Sequence, residues 1–561
     1  MVILGVADGL DSGAALVVGE RPVAATTQAS LDRAARSKEF PWAAMTDVLE
    51  AAGLSRADVD LVAVAGRYTP PLILRRFPQL RRVAGDNPFS PALDAHIAYQ
   101  AALRWTGFGA FQEDMISEWF HRQLVRRGYD PRRVVMVDMH RALADAVYRS
   151  QPHDRVLAIT AHPKADGASL AVHQGLGGML RPRFRDSAMS VLHTHLQRCV
   201  AAAGFTPVLD HPLIWAEAAR GTPDPKLVQR LGRRLTSVGR RPSRRAYPVP
   251  DDLPLRHSTY DALRETDPQV AAASLLENLV EALGGVVRAH VLRNGAKRVV
   301  LGGSLFDNPR LVARIAESVQ VESLFVLPDP GARSLPLGAA TDQAGIGPRR
   351  MAGPGLGRSF SAHQCALALS AAALEPHGQG QALDLAAQVI AEGGAVARFQ
   401  GPGGAGWWGG GARSVLVRAD MLDVVQSTAR ALERDPREEP GCVWDGVTGG
   451  LIDEGPVKDC VRLGSVALKV DAAFAKAHPA VIAKDGRALV KRVCADDEPE
   501  LAELLERVRE RCGCGALAAL PLGIGREPPS SRPGDAVRLW RQCGLDALLL
   551  GPYLLRKRGR K

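Results

Sequence analysis

The sequence predicts a two-domain α/β protein, and three observations predict it. Strand-like and helix-like segments alternate along most of the chain. Two glycine-bearing loops, Asp8-Gly9-Leu10-Asp11-Ser12-Gly13 and Gly302-Gly303-Ser304, each follow a short apolar run. From Gly345 to Ser361 the composition shifts to Gly, Pro, Arg and Ser, as in a linker. At 561 residues the chain also exceeds what one hydrophobic core supports.

In order, residues 2–6 and 14–18 are apolar runs on either side of the first loop, which is a hairpin pattern. Residues 40–52 have helical spacing, with Pro41 in the first turn and Gly53 past the end. Residues 59–65 and 134–138 are further strands. Residues 156–160 and 169–172 form a second hairpin around Asp166-Gly167. Residues 270–292 form a long amphipathic helix that leads to a strand at 298–301 and the second glycine loop. A strand at 324–327 ends at Pro328-Asp329-Pro330-Gly331, and Leu335-Pro336-Leu337-Gly338 starts the next helix. A glycine loop in each half of residues 1–344 suggests an actin-like nucleotide-binding domain of two related halves. In such a domain each loop offers backbone N–H groups to phosphates. Residues 345–381 are the expected linker. Residues 382–561 read as a smaller α+β domain, with a helix at 382–392, strands at 395–399 and 414–417, and a glycine-rich loop between those strands.

Hydrophobic residues make up 46% and charged residues 23%, as in an ordinary globular protein. The start, Met1-Val2-Ile3-Leu4-Gly5, has no basic segment and no long apolar core, which argues against a secretory signal. Runs such as Leu548-Leu549-Leu550 fall short of the ~20 residues that span a bilayer. The expectation is a cytoplasmic protein without membrane contact. Eight scattered cysteines, with no C-x-x-C pair, argue for reduced thiols and against a zinc ribbon. The net charge of +11 comes mostly from arginine. Its clusters are Arg75-Arg76, Arg81-Arg82, Arg126-Arg127, Arg233-Arg234, Arg240-Arg241, Arg244-Arg245 and the tail from Arg556 to Lys561. They lack aromatic interleaving, so they read as solvated surface and nucleic acid is not the expected partner. The segment from Gly232 to Arg245 is the best candidate for an anionic contact.

The order of short motifs adds a family expectation. Gly5-Val6 … Asp11-Ser12-Gly13-Ala14-Ala15-Leu16-Val17-Val18 opens the chain, and Arg33 … Lys38-Glu39-Phe40-Pro41 follows. Gly302-Gly303-Ser304-Leu305-Phe306-Asp307 and Phe399-Gln400-Gly401 … Arg413-Ser414-Val415-Leu416 come later. Pro533-Gly534-Asp535-Ala536 and Gly544-Leu545-Asp546-Ala547 … Gly551-Pro552-Tyr553-Leu554 close it. This series resembles the O-carbamoyltransferases that decorate nodulation factors, cephamycins and aminoglycosides. The resemblance implies an N-terminal domain related to the universal tRNA-threonylcarbamoyladenosine enzyme, binding a divalent metal and an adenylate-linked carbamoyl group. It implies a YrdC-like C-terminal domain that makes carbamoyl-adenylate from ATP and carbamoyl phosphate.

At the positions where the resemblance implies chemistry, the residues have changed. Two metal-binding histidines one helical turn apart are Met139 and Leu143, and the metal aspartate after Pro330-Gly331 is Ala332, followed by Arg333. His140 and Asp166 remain as metal candidates, with Asp145 as a fallback. A packing histidine and a simple Asp-Gly turn are the alternative readings of the first two. An acid of the Asp-Gly loop is His162, and a histidine before Asp11 is Leu10. In the C-terminal motif, arginine and glutamate positions hold Pro402, Gly404 and Trp408, and a later arginine is Leu489, for which Arg487 or Lys491 would compensate. What remains for a nucleotide or phosphate is Asp11, Ser12, Gly302, Gly303, Asp307, Arg413 and Ser414. His140 and Asp11 are the remnant catalytic candidates.

Three functions follow as expectations. The first is a catalytically degenerate family member acting as a partner or regulatory subunit, paired with an intact paralogue or with itself. The second is an active, divergent O-carbamoyltransferase using ATP, carbamoyl phosphate, a divalent metal and a small-molecule acceptor. The third is a protein that binds an anionic ligand or nucleic acid through its arginines.

Overall fold

The computed structural model describes the chain apart from residues 10, 36, 38, 78–98, 100–101, 104–105, 187–191, 207–210, 236–257, 352, 354, 377–379, 404–405, 407, 451 and 558–561. The arginine clusters at 81–82, 240–241 and 244–245 therefore lie outside the described residues, as do Leu10 and Gly404. The chain forms two compact bodies. One holds Met1–Gln28 and Arg36–Arg350, the other Ala29–Ala35 and Met351–Lys561.

The first body contains one topology twice. Strands β1 (Val2–Ala7), β2 (Gly13–Val18), β3 (Arg21–Thr27), β4 (Leu61–Ala65) and β5 (Arg133–Val137) form a sheet in the order β3-β2-β1-β4-β5. Strands β6 (Val156–Ala165), β7 (Ala168–Leu176), β8 (Met179–Arg185), β9 (Arg298–Gly302) and β10 (Ser323–Val326) form the second, in the order β10-β9-β6-β7-β8. In both, the first three strands are an antiparallel meander, and the last two run parallel to the first. This duplicated sheet is the actin-like fold. The inner strands are apolar on both faces, as strands covered on both sides must be. The outer strands β3 and β8 were not expected from the sequence. Both are half exposed, so they carry no apolar run to betray them.

Two close approaches hold the helices of this body. A Cβ on Gly5 would lie 1.9 Å from the Pro336 carbonyl oxygen, and one on Gly338 would lie 1.7 Å from that of Ala142. Only glycine lets the helix Leu335–Ala344 sit against both β1 and the helix Met139–Arg149. The helix Pro268–Asn294 is long and apolar enough to cross a membrane by length and composition. Here 72% of its apolar window is buried inside the protein, as in a core helix.

The second body is built on an eight-stranded mixed sheet. Its strands are β11 (Val396–Phe399), β12 (Arg413–Arg418), β13 (Gly441–Trp444), β14 (Ala467–Lys469), β15 (Arg487–Arg492), β16 (Ala516–Pro521), β17 (Ala547–Leu550) and β18 (Tyr553–Arg556). Their order is β14-β15-β13-β16-β12-β11-β17-β18. The helices Ala382–Ala391 and Pro499–Cys512 cover an apolar cluster that includes Val396, Leu416, Val443 and Trp408. Within the expected linker, Ala362–Ala371 is a helix, started by a capping box between Ser361 and Gln364 and anchored by buried Cys365 and Leu369. Residues 29–35 also belong to this body rather than to a continuous first domain. Arg33 holds them there, donating to Glu527 at 2.7 Å and to the carbonyls of Pro528 and Pro529. All eight cysteines are free thiols.

Candidate functional site

In the first body, β5 ends at Val137 and Asp138 caps the next helix by accepting from the Arg141 N–H at 3.1 Å. This places Met139 and Leu143 one turn apart on one helix face. After β10, a short turn at Ala332–Ser334 precedes the helix Leu335–Ala344. Met139 and Leu143 belong to one apolar cluster with Ala7, Ala65, Val137, Ala165 and Leu335, and the partly buried Ala332 packs against it. The three positions where the resemblance implies metal ligands thus border one apolar cluster, and they hold a thioether, an isobutyl group and a methyl. Divalent cations need oxygen, imidazole or thiolate donors, so the implied metal does not fit here. Among the described residues, no group of three or more His, Cys, Asp or Glu is placed to hold a metal ion.

His140 and Asp166 are engaged elsewhere. His140 is fully buried, with Nδ1 2.8 Å from Thr160 Oγ1 and Nε2 3.2 Å from the Ala168 carbonyl oxygen. A carbonyl only accepts, so Nε2 carries the proton and Nδ1 accepts from the hydroxyl. Burial, only partly opposed by Asp138, drives the imidazole pKa down to about 3, so it is neutral. Asp166 is buried at a left-handed position, φ 48°. Its carboxylate accepts from four backbone N–H groups: Arg67 at 3.0 Å, Tyr68 at 2.8 Å, Thr69 at 3.0 Å and Met139 at 2.9 Å. These take the roughly four acceptor sites that a carboxylate has. Burial and then Asp138 push this carboxyl above its usual range, while the N–H groups pull it back. Asp145, the fallback ligand, is held by Arg149 at 2.6 Å and by the Thr341 hydroxyl at 2.7 Å.

The neutral state of His140 has a measurable consequence. A folded pKa below the free value means that the unfolded chain binds the extra proton, so this contribution is complete above about pH 6.5 and lost as pH falls toward 3. His140→Gln removes that proton. Its unfolding free energy should fall less steeply on acidification, by up to about 1.4 kcal/mol per pH unit between pH 6 and 4. Urea titrations at several pH values check this, and an unchanged slope would contradict a neutral buried imidazole.

The glycine loops are closed by their own fold. Gly303 has φ 101°, and a Cβ there would lie 2.2 Å from the Ala161 carbonyl oxygen. Its N–H donates to the Pro330 carbonyl at 2.6 Å, and the Ser304 N–H donates to His162 Nδ1 at 3.2 Å. Gly302 lies in β9, opposite Thr160 of β6. In the first loop, Ser12 is buried and its hydroxyl donates to the Glu39 carbonyl at 2.7 Å. Asp11 takes a left-handed conformation, φ 55°. Asp307, beyond the second loop, is held well above the usual carboxylate range by burial and by Asp329, with Arg333 opposing. Sequence reasoning passes over Asp329, which pairs with Arg333 at 3.2 Å. It also passes over Asp8, which pairs with Arg75 at 3.3 Å, both fully buried. Arg75 is therefore a core ion-pair residue, not part of a solvated basic patch.

In the second body, β11 and β12 bring Arg398, Gln400, Arg413 and Ser414 beneath the glycine-rich loop. The Ser414 hydroxyl donates to the Trp408 carbonyl at 3.0 Å and accepts from the Gly411 N–H at 3.0 Å. Trp408 is buried, and its indole donates to the Gly464 carbonyl at 3.2 Å. Lys491, fully buried, donates to the Gly410 carbonyl at 2.6 Å and pairs with Glu498. Arg398 donates to the Gly411 carbonyl at 2.9 Å and to Gln400 at 2.8 Å. The loop thus turns carbonyls toward buried cations. Arg487 donates to the Ala467 carbonyl, and Leu489 is buried two residues on. A charge inside the apolar run Val396–Phe399 is the signal that would have found Arg398.

Arg413 differs from its neighbours. It is buried, stacked 3.8 Å over Phe399, and donates to the carbonyls of Gln400 at 2.6 Å and Gly401 at 2.7 Å. Among the described residues it has no carboxylate partner, and its buried Nε has no acceptor. Burial, reinforced by the charge of Arg398, pushes its pKa down to about 9.

Comparison with known proteins gives the following. Residues 387–557 match the family model described as the carbamoyltransferase C-terminus. The chain is 23% identical over 574 residues to the nodulation protein NolNO of Sinorhizobium fredii, covering 98% of this chain and 79% of that protein. Among solved structures, a ROK family glucokinase from Streptomyces griseus matches 61% of this chain and 98% of its own, at 15% identity and a TM-score of 0.30. HypF of T. kodakarensis matches 61% of this chain and 47% of its own, at 13% identity and a TM-score of 0.31.

Proposed function

We propose that this chain, which belongs to the carbamoyltransferase family, has lost carbamoyl transfer and acts as a partner or regulatory subunit in a cytoplasmic biosynthetic pathway. One observation carries the reading: Met139, Leu143 and Ala332, the positions where the resemblance implies metal ligands, carry apolar side chains in or against one core cluster. His140 and Asp166 support it, because their donors and acceptors are satisfied by the fold. Its partner would be an intact paralogue or a second copy of the chain. The test needs no acceptor substrate. Purified protein with ATP, carbamoyl phosphate and Mg²⁺ or Mn²⁺ should release no pyrophosphate above background. Sustained release would instead establish the active, divergent enzyme.

A second reading rests on Arg413. A buried guanidinium without a counter-charge is stabilised by an oxyanion, and the Arg413 Nε–H, which lacks an acceptor, is the donor left to meet one. Under this reading the second body, YrdC-like in plan, keeps the capacity to bind carbamoyl phosphate or ATP without turning either over. Calorimetry should detect binding to the full chain. Arg413→Ala should weaken it by roughly tenfold to a hundredfold, the scale of one lost charged hydrogen bond. Equal affinity in wild type and variant would eliminate this site.

A further inference from the structure

Arg413 is overlaid by a short segment that runs just ahead of the helix Ala362–Ala371. Among the described residues, three of its four carbonyl partners, Gln400, Gly401 and Ala412, belong to the connection between β11 and β12. The fourth is Arg358, whose carbonyl accepts from Nη2 at 3.3 Å. Residues 357–360 are tied down at each end. The Gly357 N–H donates to the Gly403 carbonyl at 3.0 Å. The Phe360 ring lies 5.7 Å from that of Phe399, the same ring over which Arg413 stacks, and Arg358 lies 5.2 Å over Phe360. Beyond Phe360, Ser361 starts a helix that buried Cys365 and Leu369 anchor. Gly357, Arg358 and Phe360 are half-buried and Ser359 is exposed, as in a segment laid on a surface rather than woven into it. Its closest approach needs a glycine. A Cβ on Gly357 would lie 2.7 Å from the Gly403 Cα and 2.8 Å from its carbonyl oxygen, although the Gly357 backbone is outside the left-handed region. We propose that residues 357–360 are an autoinhibitory strap, and that a phosphate group binds Arg413 only when the strap lifts, because the Arg358 carbonyl holds a donor that the phosphate would use. The Arg413 Nε–H has no acceptor among the described residues. With the strap lifted, an Nη2 N–H joins it, and two donors of one guanidinium grip an oxyanion. A neutral carbonyl at 3.3 Å is a weaker partner for that charge than a phosphate oxygen, so the contact can be exchanged.

This inference rests on the reading in which Arg413 receives an oxyanion, and adds the device that regulates it. A strap that is mostly closed lowers the apparent affinity by the fraction of time it is open. Gly357→Ala suits the backbone but forbids the closed strap. In the full chain it should speed amide hydrogen exchange across residues 357–360. It should also bind inorganic phosphate, read by calorimetry, roughly tenfold more tightly than wild type. Phe360→Ala, which removes the ring contact with Phe399, should act in the same direction. Adding Arg413→Ala to Gly357→Ala should abolish the gain. Equal affinity in wild type and Gly357→Ala, with each weakened by Arg413→Ala, would overturn the strap and leave the oxyanion site standing. A gain that survives Arg413→Ala would overturn the site and the strap together. So would the absence of phosphate binding from a Gly357→Ala protein whose exchange shows the strap open. Unchanged exchange in both Gly357→Ala and Phe360→Ala would also overturn the inference, since residues 357–360 would then not move as a strap.

Discussion

Replacing Met139 with His, Leu143 with His and Ala332 with Asp in one chain is expected to create a divalent-metal site that the wild-type protein lacks. The expectation follows from convergence. The first two positions are one turn apart on the helix Met139–Arg149 within one apolar cluster, and Ala332 packs against the same cluster. Two imidazoles at that spacing with a carboxylate opposite are a competent donor set for Zn²⁺ or Mn²⁺. Without metal the triple variant carries three polar groups in an apolar site, at a cost of several kcal/mol, and should unfold at a much lower temperature. With metal it should recover. A dissociation constant near 1 μM corresponds to about 8 kcal/mol, against no binding in the parent. Arg333 follows Ala332 directly and opposes a bound ion, so adding Arg333→Ala should tighten binding further. Calorimetry and metal-dependent Tm check this. A triple variant that folds but shows no metal response would mean that the three positions do not share a point, and the main support for lost catalysis would fall with it.

Asp166→Ala is expected to unfold the first body, or nearly so. One carboxylate accepts from Arg67, Tyr68, Thr69 and Met139, tying the tip of the β6–β7 hairpin to the loop after β4 and to the start of the helix Met139–Arg149. A donor left buried and unpaired costs on the order of 1–3 kcal/mol; the Met139 pairing is buried and the other three are partly buried, so the sum is on the order of 4 kcal/mol. That is a large part of the roughly 5–15 kcal/mol by which domains are stable. Asp166→Asn separates the two readings of the Asp-Gly pair. Were this residue only turn chemistry, asparagine would be tolerated, because it adopts left-handed backbone readily. As a lock it fails, because its amide turns N–H groups toward N–H donors. Denaturant unfolding should show the asparagine variant losing most of what the alanine variant loses. A loss below about 1 kcal/mol would reduce Asp166 to a turn residue.

Much of the fold was legible because it is written in local patterns. The run Val2–Ala7, the glycine loop and the run Gly13–Val18 announce a hairpin, and the helix Pro268–Asn294 leading into β9 announces the second half. Arg21–Thr27 and Met179–Arg185 were not legible, since half-exposed strands lack an apolar signature. The helix Ala362–Ala371 was hidden by its setting, a segment rich in Gly, Pro and Ser on its N-terminal side, although Ser361 and Gln364 do spell a capping box.

The candidate site was legible as a set of residues but not as a set of roles. His140 looks the same in sequence whether it binds metal or packs. Its role is decided by Thr160 and the Ala168 carbonyl on neighbouring strands. Arg413 reads as a phosphate clamp, and the structure adds that its charge faces carbonyls and an aromatic ring, with no carboxylate beside it among the described residues. Substitution of the metal ligands could be suspected from Met139, Leu143 and Ala332 one at a time. That they border one apolar cluster could not.

By itself, then, the sequence determined most of the inner secondary elements, the two glycine loops, the family resemblance, and the identity of every side chain available for chemistry. Periodicity and turn residues act over a few positions, so a linear reading captures them. Only the tertiary structure decided which donors and acceptors remain available. Hydrogen bonds and ion pairs are satisfied by whatever lies nearby in space: Asp166 finds Tyr68 across 98 residues, and Arg75 finds Asp8 at the end of β1. Such partners leave no trace in the local pattern, and they turn the candidate metal-binding acid into a structural lock.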